Sequence, residues 1–248
     1  MNFGFYIFHI VHYYAKHMST TRIIGHRGAA GLALENTLPS FEKAIAVGVK
    51  TIEFDVHTTS DSVFIACHDQ DLGRVSDSRT PLRELTAEEV QSVTLRNGAK
   101  VPTLRQILDL ARRRGIALII ELKDIPDPEA LCKLLDEYSD LDLTAASFHH
   151  DLLAKLRALR PQLRLYLAES HRPFAVLRRA RAMNAQGIDL HWALMNPLAY
   201  LLAKRWNLHI MIFTVDGRLL GRLLLFLYPG VTLCTNRPDR FIPPQKQG

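Results

Sequence analysis

Glu53 and Asp55 stand two residues apart in the run Thr51-Ile-Glu-Phe-Asp-Val-His57, which is otherwise mostly apolar. In a strand alternate side chains share a face, so Glu53, Asp55 and His57 point one way and Ile52, Phe54 and Val56 the other. A carboxylate pair on such a strand is costly to bury unless something binds it. A second short run, Val63 to His68, ends on a histidine, which exchanges protons near neutral pH. These runs read as half of a metal and acid–base site. Glu53, Asp55 and Glu121 offer hard oxygen ligands suited to Mg²⁺ or Ca²⁺ rather than a thiophilic metal. Arg27 and Lys123 supply fixed positive charge of the kind that clamps a phosphoryl group. His26 and His68 form the natural acid–base pair. Singly, each has an ordinary reading: Glu121-Leu-Lys123 as a surface ion pair, His68 as a satisfied structural histidine.

What gathers these residues is their place at strand ends. Arg22 to His26 reads as a strand. Thr37, Pro39 and Gly48 punctuate a helix with Leu38, Phe41 and Ile45 on one face. Thr103 and Gly115 bracket another helix, before a near-continuous apolar strand from Ile116 to Leu122 that suits a buried parallel sheet. Further strands are predicted at Leu143–Phe148, Leu163–Ala168, Gly187–His191, Leu208–Val215 and Val231–Thr235, alternating with helices. Only Thr58 to Ser62 separates the second strand from the third, too short for a parallel crossover, so that pair is an antiparallel hairpin. A turn centred near Ser60 and Asp61 would set Glu53 opposite His68 and Asp55 opposite Ala66. A slip of one residue would turn His68 to the other face.

Setting the return strand aside leaves eight strands alternating with helices, which predicts a (β/α)8 TIM-type barrel with a small insertion over residues 69–102. An open doubly wound sheet is the runner-up, but no GxGxxG turn follows the first strand. Barrel sites form at the C-terminal strand ends. There this chain places His26, Arg27, Glu53, Asp55, Glu121, Lys123, Ser147, His149, His191, Thr214, Asp216, Thr235 and Asn236. The opposite strand ends read as almost bare of such groups.

The chain has 248 residues, 48% hydrophobic and 23% charged, which suits one large α/β domain, read as residues 22–242 with a tail at 243–248. A net charge of +6 with Arg112-Arg113-Arg114 and Arg178-Arg179 in helical segments reads as solvated helix faces rather than a nucleic-acid patch. Three scattered cysteines with no CxxC pair argue against a disulfide framework or zinc site and fit a reducing, cytoplasmic setting. Residues 1–21 form a leader of uncertain status. Its apolar start is shorter than the roughly 20 residues of a membrane span and lacks a signal-peptide pattern. Met18 is an alternative start. Membrane contact through residues 1–17 is the less favoured reading, and His9, His12 and His17 have no ligand partners.

Taken in order, the chain carries His-Arg-Gly at 26–28, Glu-Asn-Thr at 35–37, Glu-Phe-Asp-Val-His at 53–57 and His-Asp at 68–69. The series continues through Leu72-Gly-Arg74, Val101-Pro-Thr-Leu104, Glu121-Leu-Lys123, Ser147-Phe148, Phe213-Thr-Val-Asp216 and Thr235-Asn-Arg-Pro238. This ordered set resembles the glycerophosphodiester phosphodiesterases. The resemblance implies metal-dependent hydrolysis of a glycerophosphodiester, a small-molecule substrate, to sn-glycerol 3-phosphate and an alcohol. Glu53, Asp55 and Glu121 then resemble the divalent-metal ligands, His26 and His68 the acid–base pair, and Arg27 and Lys123 the phosphate contacts. Glu35 and Asn36 border the site as positioning residues, and Phe213 can stack on an apolar part of the substrate. The family commonly has Pro where this chain has Leu34, and Trp-Thr-x-Asn where it has Phe213-Thr-Val-Asp216, which bears on the alcohol group. Two rival readings are lysophospholipase D-type cleavage of a lysophospholipid and a non-catalytic phosphate-binding barrel.

Overall fold

A computed structural model describes residues 22–243. The expectations about the leader at 1–21, including membrane contact through 1–17, and most of the tail lie outside the described residues. The strands are β1 (Ile23–His26), β2 (Thr51–Thr58), β3 (Phe64–Ala66), β4 (Ala117–Asp124), β5 (Leu143–Ser147), β6 (Arg164–Glu169), β7 (Gly187–His191), β8 (His209–Phe213) and β9 (Thr232–Thr235). All pair in parallel except β3, which runs antiparallel to β2. β1 pairs with both β9 and β2, so the eight parallel strands close on themselves. This is the (β/α)8 barrel the alternation predicts.

Helices α1 (Leu38–Val47), α2 (Ala87–Ser92), α3 (Leu104–Arg114), α4 (Pro128–Asp136), α5 (His150–Leu159), α6 (Pro173–Ala182), α7 (Pro197–Arg205) and α8 (Arg218–Leu227) begin and end on local signals. Thr37 caps α1 by accepting from the Ser40 backbone N–H, and Gly48 ends it at φ 101°. Thr103 and Gln106 form a reciprocal capping box on α3, and Gly115 stops it at φ 62°. Such caps satisfy backbone groups that the helix leaves open. Ile52, Phe54 and Val56 of β2 pack outward with Phe41 of α1 and Ile107 and Leu108 of α3 in the main core. Burying each of these side chains is worth about 1.5–3 kcal/mol. A second apolar cluster of Ile65, Leu72, Leu82, Val90 and Val101 ties the segment after the hairpin to β3.

Two expectations need correction. The hairpin register is shifted by one: Val56 pairs with Ala66, His57 with Ile65 and Thr58 with Phe64. The cause is a three-residue loop. Ser62 N–H bonds to Thr59 C=O, and Ser62 takes the left-handed conformation at φ 63°, which adds a residue to the turn. β3 then stops at Ala66, so His68 is not laddered opposite Glu53. Nor is the opposite end of the barrel bare: Thr51, Asp142, Thr144, Arg164, Tyr166, His209 and Thr232 line a cavity of about 170 Å³ there. Tyr166 Oη lies 2.8 Å from His209 Nδ1.

Candidate active site

The turn after β1 sets the first half of the site. Arg27 and Gly28 both have positive φ, 48° and 86°. For Arg27 this conformation costs about 1–2 kcal/mol, and its neighbours fix it. Its N–H donates to Glu53 Oε2 at 3.0 Å, and its C=O accepts from Ser40 Oγ at 2.9 Å and from Asn36 N–H at 3.1 Å. Gly28 admits no side chain, since a Cβ there would lie 2.4 Å from Ser40 Oγ. The same turn therefore delivers His26 and Arg27 beside Glu53.

Glu53, Asp55 and Glu121 are 2%, 0% and 8% exposed. Register explains their meeting: Asp55 pairs with Glu121 across β2 and β4, and His26 with Glu53 across β1 and β2. One oxygen of each carboxylate lies within 4.8 Å of the others, a grouping able to hold a metal ion. Asn36 clasps Asp55 from both sides. Its amide donates to Oδ2 at 2.9 Å, and its carbonyl oxygen accepts from the Asp55 N–H at 3.3 Å. Arg27 Nε stands 3.1 Å from Asp55 Oδ2 and Nη1 3.0 Å from Glu35 Oε1. Lys123 Nζ bridges Asp55 Oδ1, at 2.9 Å, and Glu121 Oε1.

These contacts separate the three carboxyls electrically. Burial pushes Glu53 well up, and the charges of Asp55 and Glu121 add to it. Burial and Asp55 also raise Glu121 against the pull of Lys123. Burial would raise Asp55 too, but Lys123, Arg27 and the Asn36 amide outweigh it and hold it low. Glu53 Oε1 is buried with no hydrogen-bond partner. An all-oxygen donor set with one orphaned buried carboxylate oxygen fits a hard divalent cation.

His26 Nδ1 lies 2.7 Å from Asn236 Oδ1, and its Nε2 lies 3.9 Å from Glu53 Oε2. Burial and the neighbouring Arg27 lower its pKa to about 4, so the ring is neutral at neutral pH. His68 stands at the rim, where His57 Nε2 meets its backbone carbonyl at 3.1 Å. His68 Nδ1 is 2.7 Å from Asp69 Oδ1, and Arg74 holds that carboxylate through Nε at 2.8 Å and Nη2 at 2.6 Å. Burial lowers the His68 pKa, while Asp55 and Asp69 favour its charged form. Both histidines thus have Nδ1 engaged and Nε2 left for chemistry. His57, His68, Lys123 and His149 line a mouth cavity of about 630 Å³.

The structure therefore brings His26, Arg27, Glu35, Asn36, Glu53, Asp55, Glu121 and Lys123 into one contact network, with His68 at its edge. Phe213 is apart from that network, in an aromatic wall on the β5, β7 and β8 side. Its ring centroid lies 5.9 Å from those of Phe148 and His191, and Trp192 stacks 5.6 Å from His191. Lys123 Nζ, 6.0 Å from the Phe148 ring, links the wall to the carboxylates. Sequence reasoning gave no role to His57, Asp189, Trp192 or Asn236. Asp189 is buried on β7 and raised by burial and by Glu121. Its even spacing from the strand-end His191 was the available signal.

A sequence profile of the glycerophosphoryl diester phosphodiesterase family matches residues 26–239. The chain belongs to this family. A family member from Bacillus altitudinis, a glycerophosphodiester phosphodiesterase, is 33% identical over 159 residues, covering 58% of this chain and 65% of that protein. One from Caldanaerobacter subterraneus is 28% identical over 160 residues, 59% of this chain and 66% of that protein. The match thus spans less than two thirds of the length of these curated relatives. The crystal structure of a glycerophosphodiester phosphodiesterase from Agrobacterium tumefaciens aligns with a TM-score of 0.79 at 25% identity, over 90% of this chain and 99% of that one. An Oleispira antarctica phosphodiesterase, solved in complex with the product sn-glycerol-3-phosphate, shares the fold. Its TM-score is 0.82 at 24% identity, over 89% of this chain and 94% of that one.

Proposed function

We propose that this protein is a divalent-cation-dependent glycerophosphodiester phosphodiesterase that releases sn-glycerol 3-phosphate and an alcohol. The observation that carries this reading is the joint presence of a buried three-carboxylate cluster, two cationic side chains and two histidines with Nε2 available, all at one barrel mouth. Glu53, Asp55 and Glu121 would hold Mg²⁺ or Ca²⁺, which when bound offsets charge on the phosphoryl oxygens. Arg27 and Lys123 orient the phosphodiester. Glu35 fixes the Arg27 guanidinium and Asn36 fixes Asp55.

His26, neutral and buried, accepts the proton of the attacking hydroxyl, which by family resemblance is the substrate's own neighbouring hydroxyl. His68, when protonated and with its Nδ1 facing Asp69, donates a proton from Nε2 to the leaving alcohol. The P–O bond to the alcohol breaks as the ring P–O bond forms. In the second step the roles reverse: His68 takes a proton from water, and His26 returns one to the ring oxygen as the cyclic phosphate opens. Each histidine ends as it began.

The aromatic wall favours a second reading on the same chemistry, a lysophospholipid substrate. Phe148, 41% exposed, packs edge-on against Phe213 and lies 6.0 Å from Lys123 Nζ, so it offers apolar surface beside the carboxylates. The test is a substrate panel of glycerophosphocholine and lysophosphatidylcholine with chelator, Mg²⁺ or Ca²⁺, each assayed for its phosphomonoester product. Cation-dependent sn-glycerol 3-phosphate from the first supports the reading. Product from lysophosphatidylcholine alone transfers it to the lipid. No product from either would defeat both.

A further inference from the structure

Asp216 follows β8 and Asn236 follows β9, and three hydrogen bonds converge on the Asp216 carboxylate, two of them from Asn236. Asp216 Oδ1 accepts from Thr235 Oγ1 at 2.9 Å and from the Asn236 N–H at 2.8 Å. Asp216 Oδ2 accepts from the Asn236 amide Nδ2 at 2.8 Å. Thr235 is oriented in turn, because its Oγ1 accepts from the Arg237 N–H at 3.0 Å. Arg240 Nη1 donates to the Asp216 carbonyl at 2.8 Å and anchors the backbone beneath.

A carboxylate only accepts, so the Asn236 NH₂ must face Asp216. The Asn236 carbonyl oxygen then has to face His26 Nδ1, at 2.7 Å. An amide oxygen also only accepts, so the imidazole carries its proton on Nδ1. Nε2, on the Glu53 side, is left with its lone pair. A third group that fixes a histidine tautomer through an intermediary is a recurring device in catalytic and metal sites.

We propose that Asp216 is a positioning residue which, through Asn236, holds His26 in the Nδ1–H tautomer with Nε2 as the proton acceptor. This rests on the reading of His26 as an acid–base group. The inference gives a purpose to Asp216, the residue that departs from the Asn commonly found in the family. Its charge is absorbed by donors on β9 and its neighbours rather than directed at the substrate.

The arrangement predicts a specific exchange. In Asp216→Asn the new amide's oxygen still accepts from Thr235 Oγ1 and the residue-236 N–H, so its NH₂ faces Asn236. The Asn236 oxygen then turns toward that NH₂, and the Asn236 NH₂ turns toward His26 Nδ1. In the double variant Asp216→Asn/Asn236→Asp every bond is remade. The new carboxylate accepts from His26 Nδ1–H and from the amide at 216, and that amide's oxygen accepts from Thr235 Oγ1 and the residue-236 N–H.

The experiment is long-range ¹H–¹⁵N correlation on ¹⁵N-histidine-labelled full-length protein at pH 7, with the His26 signals assigned by their loss in His26→Gln. Steady-state kinetics on glycerophosphocholine run in parallel. The parent should show Nδ1–H and bare Nε2. Asp216→Asn should shift His26 toward the Nε2–H tautomer, with a kcat lowered about 10- to 100-fold and KM within about twofold. The double variant should recover both tautomer and kcat. An Nε2–H tautomer in the parent overturns the proposal before any variant is made. So does an unmoved tautomer in folded Asp216→Asn, or a folded double variant that restores neither property. The tautomer is read without substrate. Failure to turn over glycerophosphodiesters therefore sinks the proposed function alone, and a wrong tautomer with turnover intact sinks only this inference.

Discussion

Glu53→Gln should stabilise the cation-free protein while abolishing most of its response to cation. Glu53 Oε1 is buried without a partner, and its carboxyl is raised by burial and by two neighbouring carboxylates. An unsatisfied buried polar atom costs about 1–3 kcal/mol, more when charged. Gln keeps the acceptor that Arg27 N–H uses and turns a donor toward Asp55 and Glu121, so that penalty is relieved. At roughly 2–4 °C per kcal/mol for a chain of this size, the variant should melt about 2–12 °C higher in chelator at pH 8. The sign with pH follows from linkage. A carboxyl raised in the folded state binds protons there that it has already lost in the unfolded chain. Stability therefore falls as pH rises from the unfolded value, near 4.3, toward the folded one. The gap between variant and parent should widen over that range. Adding Mg²⁺ or Ca²⁺ at about 100 times its Kd should raise the parent by about 2.7 kcal/mol and the variant far less. Differential scanning calorimetry with and without cation reads both effects. A Glu53→Gln protein that melts below the parent in chelator, or gains as much from cation, would refute the reasoning.

His26 and Gly28 give two further tests. The folded pKa of His26 is depressed to about 4. Its contribution to stability is therefore present above the unfolded value, near 6.5, and lost as pH falls through 4; it is worth roughly 3 kcal/mol. His26→Gln should flatten the parent's loss of melting temperature between those pH values, as read by calorimetry; an unchanged acid limb would contradict the assignment. Gly28→Ala forces a Cβ to within 2.4 Å of Ser40 Oγ at φ 86° and should lower stability by at least about 2 kcal/mol. A melting temperature within 1–2 °C of the parent would show that the turn is not fixed as described.

The parts of this molecule readable from the chain are those with local causes. Thr37, Pro39 and Gly48 announce α1, and Thr103 and Gly115 announce α3, because caps act within one turn. The barrel followed from counting strands once the short Thr58–Ser62 link ruled out a crossover. Glu53, Asp55, Glu121 and Lys123 were legible because alternation and strand ends constrain which face a residue takes. The hairpin register was not, since it depended on Ser62 adopting a left-handed conformation that no Gly or Asn signals. The placing of His68 was likewise hidden: the strand stops two residues short of it, and His57 meets its backbone carbonyl instead. The orientation of Asn236 against His26 spans 210 residues of sequence and could be fixed only when barrel closure set β9 beside β1.

The division of labour between the two histidines is the centre of this account, and a change of leaving group tests it most directly. kcat/KM would be measured for parent, His26→Gln and His68→Gln on glycerophosphocholine and on glycerophospho-p-nitrophenol, whose leaving group needs no proton. Both variants should lose about 10²- to 10⁴-fold on the choline ester. On the nitrophenyl ester His68→Gln should recover to near the parent rate, while His26→Gln should remain impaired. Recovery of His26→Gln instead, or equal impairment of both variants on the two esters, would contradict the assignment of His68 as the acid and His26 as the base.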